Sequence, residues 1–253
     1  MSDKGQLEGR VCLVTGASRG LGRAMSIAFA QAGADVVVTA RSADALKEVA
    51  AEIESLGRQS LAIPCDIHDE NSVTEMVNGA LIRFRKIDVL VNNAGGGDLK
   101  PLVDMTEREW SRTIDLNLTS LFRMCKAVGP HMIERRSGKV INMSSMYGLV
   151  GEKNVAAYCA AKGAIIQFTR ALALEWAEHN ITVNALAPGY IYTERTSRVF
   201  DNPDLSAAFT VKVPLGRIGR PEELGPLVVY LASEASDFMT GSVIVIDGGQ
   251  TAG

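Results

Sequence analysis

The stretch Thr15-Gly16-Ala17-Ser18-Arg19-Gly20-Leu21-Gly22 separates a short apolar run, Arg10 to Thr15, from a segment, Arg23 to Gln31, with apolar Ala24, Ile27, Ala28 and Phe29. The first run reads as a buried strand. The second reads as a helix that Gly33 stops. Asp35 to Ala40 then carries Val36-Val37-Val38, a second buried strand. Strand, glycine-rich turn, helix and strand make a βαβ unit. In such a unit glycines let the backbone approach a ligand, and the N–H groups that open the helix can receive a pyrophosphate. The placement predicts a dinucleotide cradle built from Gly16, Ser18, Arg19, Gly20, Leu21 and Gly22. The spacing is not that of a P-loop, which argues against a nucleotidase.

The alternation continues along the chain. Ala43 to Leu56 reads as a helix stopped by Gly57, Gln59 to Cys65 as a strand, Glu70 to Arg85 as a helix and Ile87 to Asn92 as a strand. Thr106 opens a helix with Glu109 completing a capping box, and that helix is expected to run to Ile133. Lys139 to Met143 is a strand, Val155 to His179 a long helix and Ile181 to Leu186 a strand. Pro221-Glu222-Glu223 opens another helix, and Val243 to Ile246 is the last strand. Seven apolar strands alternating with helices predict an α/β fold: one Rossmann domain over 1–253, with a doubly wound seven-stranded parallel sheet and helices on both faces. The one long irregular segment, Pro188 to Gly219, is expected to be functional, with a substrate lid over about 189–219.

Hydrophobic residues make up 47% of the 253, enough for a substantial core, and the net charge is -3. That balance lacks the basic surplus of a nucleic-acid binder. The four cysteines are scattered without a C-x-x-C, so inert thiols in a reducing compartment are expected. The three histidines show no metal-ligand spacing, and no metal is expected. Met1 to Gly5 lacks a signal-peptide pattern and no apolar run is long enough for a bilayer, so a soluble cytoplasmic protein is expected.

In Ala156-Ala157-Tyr158-Cys159-Ala160-Ala161-Lys162-Gly163, Tyr158 and Lys162 fall on one helix face. An ammonium beside a phenol favours the phenolate. A typical shift of ~1–3 units from a reference pKa of ~10 would let Tyr158 exchange protons near physiological pH. Ser145, upstream, supplies a hydroxyl for a carbonyl or alcohol oxygen. Taken alone, the pair also fits a surface phenol lying along a lysine stem. The end of the second strand reads Thr39-Ala40-Arg41-Ser42, without the acid that would hold a ribose 2′-hydroxyl. Arg41 stands there, with Arg19 in the glycine turn. Two guanidinium groups suit a 2′-phosphate, so the expected cofactor is NADP(H).

With these pieces placed, the chain resembles the short-chain dehydrogenase/reductase family over essentially its whole length. The motifs occur in order: Thr15-Gly16-x-x-x-Gly20-x-Gly22, Asp66, Asn92-Asn93-Ala94-Gly95, Asn117, Ser145, Tyr158-x-x-x-Lys162 and Pro188-Gly189-x-x-x-Thr193. The resemblance implies that Tyr158 is the general acid in ketone reduction and the base in alcohol oxidation. It implies that Lys162 lowers the pKa of Tyr158 and holds the nicotinamide ribose, that Ser145 binds the substrate oxygen, and that Asn117 holds a water linking Lys162 to solvent. It assigns Asp66 and Ile67 to the adenine, Asn93, Ala94 and Gly95 to the adenine ribose, and Pro188, Gly189, Ile191 and Thr193 to the nicotinamide carboxamide. Met146, Tyr147, Glu152, Tyr190 and Tyr192 are pocket candidates.

The family likeness also implies a homotetramer, assembled through the two long helices and the last helix and strand, and a small-molecule carbonyl or alcohol substrate. The chain is similar both to 3-oxoacyl-carrier-protein reductases and to gluconate-type sugar-acid dehydrogenases. For the former, basic residues beside the cleft would dock an acidic carrier. Arg136 occupies one such position, whereas His179 stands where those enzymes have arginine. Ala187-Pro188-Gly189-Tyr190-Ile191 and Trp176-Ala177-Glu178-His179-Asn180 look like the sugar-acid enzymes. A non-enzymatic NADPH-binding regulator is the competing class. Such relatives usually lose the tyrosine or the lysine, and both are present here.

Overall fold

The computed structural model describes residues 5–97 and 99–252; the reading of Met1 to Lys4 lies outside them. Among the described residues, strands β1 (Val11–Thr15), β2 (Asp35–Ala40), β3 (Ser60–Pro64), β4 (Val89–Asn92), β5 (Gly138–Met143), β6 (Ile181–Pro188) and β7 (Val243–Ile246) form one sheet in the order β3-β2-β1-β4-β5-β6-β7. Every pairing is parallel. The strand order reverses between β1 and β4, and the carboxyl ends of those strands open the crevice in which such sheets bind ligands.

Alternation along the buried strands divides the core. Cys12, Val14, Val36, Val38, Val89, Val91 and Ile141 point to one face. There they meet Met25 and Phe29 of α1 (Gly20–Gln31), Leu46 and Ile53 of α2 (Ala43–Ser55), and Val228 of α9 (Gly225–Ala232). Leu13, Val37, Leu90, Val140 and Val183 point to the other. They pack on Met76 of α3 (Glu70–Phe84), Met124 and Val128 of α5 (Ser120–Arg135), and Ile165 of α6 (Ala156–Trp176). Each such side chain contributes about 1.5–3 kcal/mol by burial. The strands therefore read as continuous apolar runs because both faces are covered.

Three departures from the sequence reading bear on function. Helix α1 begins at Gly20, inside the glycine turn rather than after it. The helix expected over Thr106–Ile133 is α4 (Glu107–Ile114), a π-helical turn at Asp115–Thr119, and α5. Its start is as expected, with Thr106 and Glu109 forming the capping box. The segment expected to be irregular contains α7 (Ser197–Phe200) and α8 (Pro203–Thr210). Helix α8 forms because Asn202 accepts from the N–H groups of Asp204 and Leu205 while Pro203 takes the first turn.

Candidate active site

A cavity of about 1020 Å³ lies at the carboxyl ends of the strands, running from the glycine turn to α6 and the segment after β6. Its floor is held by Thr15 and Asn93. The Thr15 hydroxyl receives the N–H groups of Asn93 (2.9 Å) and Ala94 (3.0 Å), and Asn93 Nδ2 donates to Thr15 O at 2.8 Å. A Cβ added at Gly22 would lie 2.3 Å from Gly16 O, so the turn closes on the helix only with glycine there. Arg19, the residue before α1, makes no side-chain capping bond. The first N–H groups of a helix have no intrahelical acceptors. Here they belong to Gly20, Leu21 and Gly22, which line the cavity. This cradle fits the pyrophosphate of a dinucleotide. Gly22→Ala is expected to weaken dinucleotide binding about tenfold and to lower stability by about 1–3 kcal/mol, read by titration and thermal melting.

The opposite end carries the polar set. Ser145 precedes the single turn Met146–Gly148, its hydroxyl accepting from Tyr147 N–H at 3.2 Å. Ser144 Oγ donates to Lys162 O at 2.8 Å, and a Cβ at Gly148 would meet that same carbonyl at 2.7 Å. The loop after β5 thus lies directly on the first turns of α6, which brings Ser145 within hydrogen-bond reach of Tyr158. Lys162 is 4% exposed, and its Nζ donates to Met143 O at 2.7 Å. The same Nζ stands 5.4 Å from the centre of the Tyr158 ring.

One expectation is corrected here. Burial pushes the Tyr158 hydroxyl above the usual range, while the Ser145 hydrogen bond and the Arg195 charge pull it partway back. Burial thus outweighs the lowering expected beside Lys162, whose ammonium donates to the Met143 carbonyl. Burial, assisted by Arg195, brings Lys162 itself down to about 7.

Asn117 sits in the π-helical turn and is buried. Its Oδ1 accepts from Gly96 N–H at 3.0 Å, and its Nδ2 donates to Gly96 O (2.6 Å) and Thr113 O (2.8 Å). The side chain is thus engaged with backbone.

Gly16, Ser18, Arg19, Arg41, Ile67, Asn93, Ala94, Gly95, Ser145, Tyr158, Lys162, Pro188, Gly189, Ile191 and Thr193 all line the cavity with the glycine turn. Asp66 lies between two lining residues, and its Oδ1 accepts from His68 N–H at 3.0 Å. Of the pocket candidates, Met146, Tyr147 and Tyr190 line the wall. Tyr147 and Tyr190 join hydroxyls at 2.8 Å, and burial, followed by the Tyr190 bond, pushes Tyr147 up. Glu152 and Tyr192 do not line it: Glu152 pairs with Lys212 at 2.7 Å, and the Tyr192 hydroxyl donates to Asp201 at 2.9 Å.

The expectation of a carrier-docking residue beside the cleft is also corrected. Arg136 and His179 lie just before β5 and β6, at the sheet edge opposite the cavity, and the Arg136 guanidinium donates to Glu178 O. Sequence reasoning missed His68, Phe200 and Arg195, which line the cavity. The one available signal for Arg195 was a charged pair, Glu194-Arg195, directly after Thr193. Among the described residues no cluster of His, Cys, Asp and Glu has the makings of a metal site.

A family model described as enoyl-(acyl carrier protein) reductase matches residues 16–251. The chain is 38% identical over 250 residues to 2-dehydro-3-deoxy-D-gluconate 5-dehydrogenase of Pseudoalteromonas atlantica, covering 98% of each chain. It is 39% identical over 244 residues to a 3-oxoacyl-[acyl-carrier-protein] reductase of Thermotoga maritima, covering 96% of this chain and 98% of that one. A Beutenbergia cavernae structure with NADP bound at low occupancy, described as an NAD(P)-dependent gluconate 5-dehydrogenase, superimposes with a TM-score of 0.93. That protein is 37% identical, and the match covers 100% of both chains.

Proposed function

The chain belongs to the short-chain dehydrogenase/reductase family of oxidoreductases, and we propose that it moves a hydride between NADP(H) and a carbonyl or secondary-alcohol carbon, acting as a ketone reductase with Tyr158 as proton donor. One observation carries this reading. Ser145, Tyr158 and Lys162 close one end of the cavity whose other end is formed by the glycine turn and Arg41.

The dinucleotide supplies the hydride, and the chain supplies position and the proton. Gly16, Ser18, Gly20, Leu21 and Gly22 would hold the pyrophosphate, Arg41 and Arg19 the 2′-phosphate, and Asp66 and Ile67 the adenine. Asn93, Ala94 and Gly95 would flank its ribose, and Pro188, Gly189, Ile191 and Thr193 the carboxamide. The Ser145 hydroxyl holds the substrate oxygen beside the Tyr158 phenol. Tyr158 gives its proton to that oxygen as charge develops there. Lys162, held by Met143 O, keeps a positive charge beside the phenolate left behind.

A pH dependence follows from the two shifts. Tyr158 lies above the usual tyrosine range, so its proton is in place throughout neutral pH. Lys162, at about 7, is charged below that value and neutral above it. Reduction should therefore be fastest below pH about 7 and decline as Lys162 loses its charge. Oxidation, which needs Tyr158 as a base, should climb into the alkaline range. Rate profiles in both directions check this, and a reduction rate that rises through neutrality would contradict it.

A homotetramer in the cytoplasm belongs to the same proposal. Its support is that Phe122 on α5, Leu174 on α6, Phe238 and Val245 on β7 stand exposed on or next to the elements expected to meet a partner copy. Among the described residues no helix is long and apolar enough to cross a membrane. The named relatives divide between sugar acids and carrier-bound thioesters. Both substrate classes fit a reductase of this mechanism.

A further inference from the structure

Arg195 reaches from the lid across the catalytic end of the cavity. Its Nη1 donates to Gly95 O at 3.2 Å and its Nη2 to Gly97 O at 2.7 Å. Gly96 lies beneath the fork, where an added Cβ would sit 1.6 Å from Nη1. Gly97 in turn rests on the Tyr158 ring, since a Cβ there would meet Tyr158 Cδ2 at 2.8 Å. The guanidinium and the reacting phenol are therefore separated by one strand of backbone. A guanidinium carries five N–H donors. Two carbonyls fix its plane, and the remaining donors are left to meet a ligand in a set orientation.

The surroundings favour an anion. Leu99, Val155, Tyr147, Tyr190 and Phe200 line the cavity with it, an apolar and phenolic wall against which a carbon skeleton can lie. Among the described lining residues Glu194 is the one carboxylate. Its Oε2 is turned to the glycine turn, 3.6 Å from where a Cβ on Gly20 would lie. The catalytic end thus presents a preset fork for a carboxylate beside the hydroxyls that hold a carbonyl.

We propose that Arg195 is a specificity-determining residue and that the substrate is an oxo acid, or its hydroxy acid in the reverse direction. Its reacting oxygen lies on Ser145 and Tyr158 and its carboxylate on the outward N–H groups of Arg195. This rests on the oxidoreductase reading above and narrows it, setting a neutral thioester aside.

The test uses acid–ester pairs, acetoacetate with ethyl acetoacetate and laevulinate with ethyl laevulinate, on the NADPH-loaded protein. Wild type should favour the acid over its ester by about 10- to 100-fold in kcat/KM, carried by KM. In Arg195→Gln that preference should fall to near unity, and Arg195→Lys should restore part of it. NADPH affinity is titrated alongside in both variants, since Arg195 also bonds Gly95 O in the same cavity. A wild-type ratio near one, or a preference that survives in Arg195→Gln, overturns the proposal. So does weakened NADPH binding with the preference intact, which would assign Arg195 to a cofactor phosphate. Absence of turnover with every ketone would instead count against the oxidoreductase reading. Calorimetric binding of acid and ester to the loaded protein still decides in that case: acid binding lost in Arg195→Gln upholds Arg195 as the carboxylate group, and equal binding refutes it.

Discussion

Tyr158→Phe should lower kcat roughly 10²- to 10⁴-fold while leaving NADPH binding nearly intact. The substitution removes one oxygen and keeps the ring. That ring lies edge-on to Tyr147, with centres 6.5 Å apart, and supports Gly97. Neither contact needs the hydroxyl. Lys162 keeps its bond to Met143 O, and Ser145 keeps its bond from Tyr147 N–H. The loss would therefore fall on proton transfer rather than on the fold. Steady-state turnover, fluorescence titration with NADPH and a thermal melt separate the two. Unchanged turnover would remove the mechanism, and a melt lowered in step with the rate would make the phenol structural.

Arg41→Ala should weaken NADPH about 10- to 100-fold and NADH far less. Arg41 lines the cavity just beyond β2, between Ala40 and Ser42. Ser42, which precedes α2, lines the cavity beside Arg41 and makes no side-chain capping bond, so its hydroxyl would be available to the same phosphate. Arg19 supplies a second cation, which sets the residual affinity. Because the contact is exposed and charged, the NADPH preference should shrink with added salt. Equal losses for the two dinucleotides would show that Arg41 does not read the 2′-phosphate.

The elements that chain-local chemistry decides were legible. Strands β2 and β7 have the bounds read from their apolar runs, and Thr106 with Glu109 marked the start of α4. The sequence places the start of α1 late because Gly20 and Gly22 look like a turn, although the helix already begins at Gly20. The π-helical turn leaves no mark in apolar spacing, since it shifts the register by one residue inside an otherwise helical pattern. Asn202-Pro203 was a readable cap for α8, hidden by the irregular composition around it.

The site shows the same division. The glycine turn, and Tyr158 with Lys162, are each legible from spacing within one segment, and both line the one cavity. The Lys162 ammonium is engaged by Met143 O, on β5, a partner that spacing along α6 does not reveal. Arg195 reaches the cavity through its bonds to Gly95 O and Gly97 O, a contact between segments far apart in the chain. Arg136 lies away from the cleft for a topological reason. The starts of parallel strands lie at the edge opposite their ligand crevice.

The most direct measurement is the loss of NADPH absorbance when the purified protein is given acetoacetyl thioesters, 5-keto-gluconate, cyclic diketones and aryl ketones in turn. The account predicts tight NADPH binding and turnover of at least one ketone. Tight binding with no turnover on any of them would contradict it and would favour an NADPH-binding regulator.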